Sequence, residues 1–194
     1  MSALHRPHNA KFADLQRLPE HLNVEIVHGE IVEKALPTME HGTTQQSLGA
    51  FLTRYFVRKS GGRWPGGWWM GSEVDVEYAA HEIFRHDLVG WRRDRTPTCP
   101  TGRPIRIRPD WVCEILSTNR KRDLVDKLRV LQAAGVPHDW VLDPEEKTLS
   151  VYRHEPQGYL VALAAASGEV VRAEPFDAVE LRVATLFGDE DPAE

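Results

Sequence analysis

The sequence is poor in cysteine and contains no long apolar run. Of its 194 residues only Cys99 and Cys113 are cysteines, and neither belongs to a CxxC pair or to a Cys/His spacing of the zinc type. A disulfide framework and a zinc module are therefore excluded. No segment approaches the roughly 20 apolar residues of a bilayer span, and the N-terminus lacks the apolar core of a signal peptide. These features predict a cytoplasmic protein with reduced thiols.

The sequence also lacks the short motifs of several enzyme classes. It contains no GxxxxGK[ST], no GxGxxG after a predicted strand and no GxSxG. The segment His81–His86 resembles the HExxH motif of zinc proteases but is one residue longer, so its two imidazoles would not share a helix face. Nucleotide-binding loops, a serine nucleophile elbow and a zinc-protease site are therefore excluded.

The composition is that of one folded domain, with 41% hydrophobic and 27% charged residues and a net charge of −5. This charge argues against a strongly basic nucleic-acid coat protein. It is unevenly distributed, however, because residues 92–129 hold 11 Lys/Arg against 5 Asp/Glu, a local +6 that leaves −11 for the remainder. Nucleic acid is thus not excluded, but contact is limited to one face. For the densest part, Arg120–Arg122, a solvated helix start and phosphate contact both remain open.

Hydrophobic periodicity predicts an α/β fold with an N-terminal β-hairpin and a C-terminal β-meander. We expect an arm over residues 1–22, a single domain over 23–188 and an acidic tail over 189–194. A short helix is expected in the arm around residues 12–18. A helix of about 15 residues is expected after Glu40-His41-Gly42, ending near Gly61, and a further helix is one that Ser117-Thr118-Asn119 caps and Gly135 ends. Strands are expected near residues 24–27, 30–32, 74–78, 87–91, 111–116, 139–142, 148–152, 159–164 and 170–172. Trp64, Trp68 and Trp69 are expected in a loop.

One carboxylate lies in a segment that is predicted to be buried. Glu114 interrupts the apolar run 111–116, and an unpaired buried carboxylate must be paired, neutralised or bound to a cation. An exposed strand end is the alternative. Asp87 begins another short apolar strand, and two carboxylates at one level of a sheet suit Mg²⁺ or Mn²⁺. Lys127 lies on the following helix, where Asp123 at i−4 offers it an ordinary surface ion pair instead.

Six segments, in order, carry a resemblance to a known family. They are VEIVHGEIV (24–32), EHG (40–42), RHDLV (85–89), PDWVCEILS (109–117), RDLVDKLR (122–129) and AAGVPHDWVLDP (133–144). Together they resemble the Uma2 family of restriction-endonuclease-like proteins, within the PD-(D/E)XK nuclease superfamily. The resemblance implies a restriction-endonuclease-like mixed β-sheet with helices on both faces, and a divalent-metal-dependent endonuclease that hydrolyses DNA.

The resemblance also implies roles for individual residues. Asp87 matches the aspartate of the "PD" element, Glu114 the acidic residue of the (D/E)XK element, and Lys127 looks like the lysine moved onto the following helix. Asp87 and Glu114 would hold Mg²⁺ or Mn²⁺, which lowers the pKa of an attacking water, while Lys127 orients that water or neutralises developing charge. His86 replaces the usual proline, and Leu116 replaces the usual lysine. Secondary candidates, outside this site, are Glu30, Glu40 and Asp110.

Three hypotheses remain open at this level. The first is an active Mg²⁺-dependent endodeoxyribonuclease, which would act as a homodimer because cutting both strands of a duplex suits two related sites. The second is an inactive nuclease-like fold that binds nucleic acid or protein, which Leu116 and the acidic strand face of Glu73, Asp75 and Glu77 favour. The third is an interaction protein whose β-meander, residues 140–171, covers a partner. Metal-dependent DNA cleavage separates the first from the others.

Overall fold

The computed structural model describes residues 9–117 and 120–189. Residues 1–8 of the expected arm, 190–194 of the expected tail and the proposed capping residues Thr118 and Asn119 lie outside these ranges. Within them, no helix is long and apolar enough to span a bilayer. The elements in chain order are α1 (Phe12–Leu15), β1 (Val24–Val27), β2 (Glu30–Glu33), α2 (Met39–Tyr55), β3 (Trp68–Ala79), β4 (Glu82–Arg92), β5 (Trp111–Ile115), a π-helical segment (Arg122–Lys127) that continues into α3 (Leu128–Ala134), β6 (His138–Asp143), β7 (Thr148–Glu155), β8 (Gly158–Ala166), β9 (Val170–Val171), β10 (Leu181–Arg182) and α4 (Val183–Leu186).

A mixed sheet forms the centre of the fold, as the resemblance implies, and it has eight strands within the described residues. Its order is β2-β1-β4-β5-β6-β7-β8, with β3 also paired to β4. β5 and β6 are parallel and are connected through α3, whereas the other pairs are antiparallel. The expected hairpin is β1–β2, in which His28 and Gly29 both have positive φ (52° and 75°).

The expected meander is confirmed for β6–β7–β8. Its expected last strand, β9, does not join this sheet, because it pairs with β10 in a separate two-stranded sheet.

The sheet divides at β4. β3 pairs along one edge of this strand from Arg92 to Glu82. The opposite edge is shared, because β1 pairs with it at Ile83 and β5 pairs with it over residues 88–90. Residues 84–87 therefore lie between the first residues of β1 and the last residues of β5. We call this place the strand junction.

Helices cover both faces of the sheet. On one face, α2 and α4 pack on a core in which the rings of Trp111, Trp140 and Phe176 meet edge to face, with centroids 5.1–5.7 Å apart. On the other face, Leu131 of α3 and the following Val136 pack with Phe84 and Val112. β5 is buried along its whole length, as its apolar sequence predicts. The strand that carries Glu114 is therefore enclosed between two layers.

Three local expectations are wrong. α2 begins at Met39 rather than after Gly42, because Thr38 caps it by accepting a hydrogen bond from the His41 N–H (3.3 Å), and it ends at Tyr55. Trp68 and Trp69 belong to β3 rather than to a loop, since both pair with β4. β4 begins at Glu82 rather than near Asp87, so residues 80–81 alone connect β3 to β4.

The basic loop 92–108 pairs with two acidic residues of β3. Asp75 accepts hydrogen bonds from Arg103 of this loop (2.7 Å) and from Arg85 of β4 (2.8 Å), and Glu77 accepts one from Arg106 of the loop (2.9 Å). The positive segment and the acidic strand face that the sequence shows separately therefore meet at two ion pairs in the fold.

Candidate active site

A cleft of about 390 Å³ opens at the strand junction. Polar side chains from the first half of the chain meet there with side chains from β5 and the π-helical segment. Its charged and polar wall consists of Asn23, Glu25, Lys34, His41, Gln45, Glu73, Arg85, Asp87, Glu114, Ser117, Arg122 and Asp123. Two of the three expected site residues, Asp87 and Glu114, are in this wall.

The strand junction leaves main-chain groups of β4 and β5 without strand partners, and side chains satisfy them. The Arg85 N–H donates to Glu25 (3.3 Å), and the Arg85 carbonyl accepts from Lys34 (2.7 Å). The carbonyl of Asp87 accepts from Gln45 (2.9 Å). Because buried main-chain groups need partners, the break in strand pairing explains why polar side chains gather in this part of the core.

Asp87 is held on both carboxylate oxygens. Its Oδ2 accepts a hydrogen bond from the Ile115 N–H (2.7 Å), and its Oδ1 lies 2.8 Å from Lys34 Nζ and 3.6 Å from His41 Nε2. Burial alone would raise the pKa of Asp87, but the contact with His41 and the charge of Lys34 outweigh it and hold this pKa well below its usual range. Asp87 is therefore an anion at neutral pH.

Glu114 lies one residue beyond the Leu88–Cys113 pair of β4 and β5, at the level of Asp87. Its Oε1 is 2.6 Å from His86 Nδ1, and its Oε2 is 3.1 Å from Lys127 Nζ. Burial raises the pKa of Glu114 to about 7, although the charge of Lys127 opposes this shift. Burial therefore makes this carboxyl easier to protonate than an exposed glutamate.

His86 connects Glu114 to Tyr78. Its Nε2 is 2.7 Å from the Tyr78 hydroxyl, and the imidazole is fully buried. Burial, followed by the positive charge of Lys127, lowers the pKa of His86 to about 3. The ring is thus neutral, so one nitrogen donates and the other accepts. Tyr78, His86 and Glu114 thus form a buried hydrogen-bond chain.

Lys127 lies within a ring of carboxylates. Its Nζ is 3.0 Å from Glu25, 3.1 Å from Glu114 and 3.3 Å from Asp123, and only 1% of its side chain is exposed. Burial would lower the pKa of Lys127, but the three carboxylates raise it well above the usual value. Burial in turn raises the pKa of Asp123 to about 6. The ion pair with Asp123 and the contact with Glu114, alternatives in the sequence, occur together, and the pair with Asp123 is buried rather than at the surface as expected.

Several residues of the cleft wall are not among those predicted from the sequence. Lys34 follows β2, and His41 and Gln45 lie one turn apart on α2, a spacing that places them on one helix face. That spacing could have indicated His41 and Gln45 from the sequence, whereas no sequence feature indicated Lys34. Of the secondary candidates, Asp110 has a structural role, because it accepts from the Arg92 N–H (2.8 Å) and from Arg95 (2.7 Å).

The carboxylates fit a divalent ion that keeps part of its water shell. Within residues 9–117 and 120–189, no three His, Cys, Asp or Glu side chains form a ready-made metal cage. Mg²⁺ in phosphate-processing sites commonly uses one or two carboxylates, with waters and phosphate at its other positions. Asp87 and Glu114 supply such hard oxygen donors, and the cleft has room for waters of about 30 Å³ each beside a phosphate. The two residues therefore suit Mg²⁺ or Mn²⁺.

Comparison with known proteins gives one family and one fold. Residues 11–184 match the family Uma2, described as "Putative restriction endonuclease". A crystal structure from Anabaena variabilis ATCC 29413, described as a "putative nuclease belonging to DUF820", matches with a TM-score of 0.72 and 20% identity, over 92% of this chain and 97% of that chain. No curated protein matches. The structural likeness shows a shared nuclease-like fold.

Proposed function

Because this chain belongs to the Uma2 family of restriction-endonuclease-like proteins, we propose that it is an endonuclease that hydrolyses DNA phosphodiester bonds with a divalent metal ion. Mg²⁺ or Mn²⁺ is the proposed cofactor. The observation that carries the proposal is the meeting of Asp87 and Glu114 at the strand junction, in a cleft whose wall also presents Lys34 and Arg122.

Asp87 and Glu114 are the proposed metal ligands. When bound, the ion supplies Lewis-acid polarisation of the phosphate and lowers the pKa of an attacking water. Asp87 is ionised before any ion arrives, since Lys34 and His41 favour its charged form. Glu114 is closer to its midpoint and releases its proton more readily as the pH rises above 7.

Lys127 is proposed to neutralise charge in this site. Of the two roles expected for it, orienting water or neutralising charge, burial favours the second. Its ammonium contacts Glu114 directly and balances Glu25 and Asp123 as well. Without that cation, the buried carboxylates of Glu25, Glu114 and Asp123 would lie together, close to that of Asp87 in the same cleft wall, without the positive charge that they share. Lys127 thereby keeps Glu114 available as an anion.

Plasmid cleavage tests the proposal. The protein is incubated with supercoiled DNA in Mg²⁺ or Mn²⁺, with EDTA as a negative control. Asp87→Ala removes one proposed ligand, and Asp94→Ala, which removes an exposed carboxylate paired with Arg92, is the matched control. We expect nicking by the wild type and by Asp94→Ala, and none by Asp87→Ala. Nicking that persists in Asp87→Ala points to a contaminating nuclease.

An inactive binding module is the second candidate function. It is favoured by the ion pair that Lys34 makes with Asp87, since this pair neutralises a proposed ligand without any metal. Under this alternative, the protein binds duplex DNA in a gel-shift assay but leaves it intact in every divalent metal. Binding without cleavage in Mg²⁺, Mn²⁺ and Co²⁺ would therefore support the inactive binding module and contradict the endonuclease.

The proposed assembly is a homodimer, in keeping with a duplex substrate. β8 is the surface that supports it. This strand ends the sheet order and has no charged residue among its nine, and Leu160 and Val161 are about half exposed. Edge strands usually carry charges or proline that discourage pairing with another chain. Pairing of β8 with its copy would bury this apolar edge.

The proposed location is the cytoplasm. Both cysteines are free thiols, with Cys99 exposed and Cys113 buried. A reducing compartment keeps an exposed thiol such as that of Cys99 from oxidation. Cell fractionation followed by immunoblotting tests this location.

A further inference from the structure

The site contains two lysines that differ in access to the cleft. Lys127 is 1% exposed at its side chain, and three carboxylates hold its ammonium. Lys34 is 12% exposed at its side chain, and it forms part of the cleft wall. A phosphate that enters the cleft therefore meets the ammonium of Lys34, whereas Lys127 is enclosed among its carboxylates.

Lys34 differs from the two arginines of the cleft wall in the carboxylate that it contacts. Arg85 makes two hydrogen bonds to Asp75 (2.8 and 3.2 Å), and Arg122 donates to the Glu33 carbonyl (3.0 Å) and lies 3.7 Å from Glu25. Lys34 donates to the Arg85 carbonyl and to Asp87, which is a proposed metal ligand. Of these three cations, Lys34 is therefore the one whose charge lies directly at the proposed metal position.

The ammonium of Lys34 occupies the same oxygen that a metal would need. Asp87 Oδ2 is committed to the Ile115 N–H, so Oδ1 is the oxygen that remains for a cation, and Lys34 Nζ lies 2.8 Å from it. An ammonium and a divalent ion on one oxygen repel each other strongly at such a distance. Arrival of the ion therefore favours departure of Lys34 from Asp87.

We propose that Lys34 is the lysine that contacts the scissile phosphate, and that a divalent cation at Asp87 displaces its ammonium from Oδ1 for that purpose. This inference rests on the proposed nuclease function. In the absence of metal, Lys34 keeps Asp87 compensated. In its presence, the freed ammonium lies in the cleft, where it stabilises negative charge that develops on the phosphate.

Chemical labelling of the wild-type protein tests the displacement directly. Lysines are acetylated briefly with acetic anhydride, with and without Mn²⁺, and each site is quantified by peptide mass spectrometry. We expect Lys34 labelling to rise about tenfold on addition of Mn²⁺, Lys127 to stay unlabelled, and the exposed Lys59 to react equally in both conditions. Lys34 labelling that does not change with Mn²⁺, or labelling of Lys127 instead, overturns the proposal.

Metal affinity and cleavage of a variant give the second test. Lys34→Met removes the competing ammonium, so Mn²⁺ should bind about tenfold more tightly by isothermal titration calorimetry, while plasmid cleavage falls by about 100-fold. Lys59→Met is the control and should match the wild type in both assays. A merely structural Lys34 would leave Mn²⁺ affinity unchanged or weaker, and that result contradicts the proposal. The labelling of the wild type remains decisive if the variant does not fold.

The two assays separate this inference from the proposed function. If the wild type shows no metal-dependent cleavage, the nuclease function and the phosphate role of Lys34 both fail, whereas metal-dependent labelling of Lys34 would still establish the exchange at Asp87. If the wild type cleaves DNA while Lys34→Met retains full activity, the nuclease function holds and the role of Lys34 is refuted.

Discussion

The imidazole Nδ1 of His86 lies 2.6 Å from Glu114 Oε1, and both side chains are buried. This contact joins neighbouring strands where their main-chain pairing ends. It also fixes one oxygen of Glu114, while Lys127 fixes the other at 3.1 Å. The orientation of a proposed metal ligand thus depends on His86, the residue that precedes Asp87 in β4.

Removing the Tyr78 hydroxyl should destabilise the protein through His86. Tyr78→Phe leaves the buried Nε2 of His86 without its 2.7 Å partner. A buried polar atom without a hydrogen bond costs about 1–3 kcal/mol, so the free energy of unfolding in urea should fall by that amount. Tyr55→Phe, at a half-buried ring, is the control, and its effect should stay within about 0.5 kcal/mol. Equal effects of the two substitutions would mean that the Tyr78–His86 contact contributes nothing.

Lys127→Met should be the most destabilising substitution in the site. It leaves the carboxylates of Glu25, Glu114 and Asp123 without their shared cation. Breaking a buried ion pair by removing one partner costs about 3–5 kcal/mol, which urea denaturation at pH 7 measures. The exposed Lys59→Met serves as the control. A loss below about 1 kcal/mol would contradict the compensating role of Lys127.

Metal affinity should depend on pH through Glu114. Its pKa is raised to about 7, so below this pH the ion competes with a proton for the carboxylate. The Kd for Mn²⁺ should therefore be constant above pH 8 and rise by about tenfold for each pH unit below 7. Asp123 also titrates near pH 6, and Asp123→Asn should retain the dependence if Glu114 causes it. A Kd that is the same at pH 6 and pH 8 would exclude Glu114 as a titrating ligand.

The proposed dimer should dissociate when its edge becomes charged. Val161→Lys places an ammonium on the apolar edge of β8, where a paired copy would bury it without a partner. We expect the molar mass in light scattering to fall from twice that of the chain to that of one chain. Val170→Lys alters a similarly exposed valine of β9 and should leave the dimer intact. A wild type that is monomeric at all concentrations would refute the dimer.

The order of elements could be predicted from the sequence because each strand has its own period-two or apolar pattern. Glu114 was recognisable for the same reason, since it interrupts a run of five buried strand residues. Asp87 was a candidate because it begins a second short apolar strand, whereas only the resemblance favoured a site role for Lys127 over an ion pair with Asp123. The structure pairs Lys127 with Glu114 and Lys34 with Asp87.

Lys34 could not be predicted because its role depends on contacts distant in sequence. It lies 53 residues from Asp87, and it reaches that residue only because β1 pairs with β4. α2 was misplaced at its start because Thr38, rather than the apolar positions, determines where the helix begins. Hydrophobic periodicity carries no information about either of these polar contacts.

The division of strand pairing at β4 has a consequence for the preparation of inactive protein. Asp87 accepts the Ile115 N–H, and Glu25 accepts the Arg85 N–H, so these side chains complete the sheet as well as line the cleft. Truncation of Asp87 to alanine deprives β5 of a hydrogen bond and frees the ammonium of Lys34. Asp87→Asn keeps an amide oxygen for Ile115, so an isosteric amide is the better choice for trapping a DNA complex in crystals.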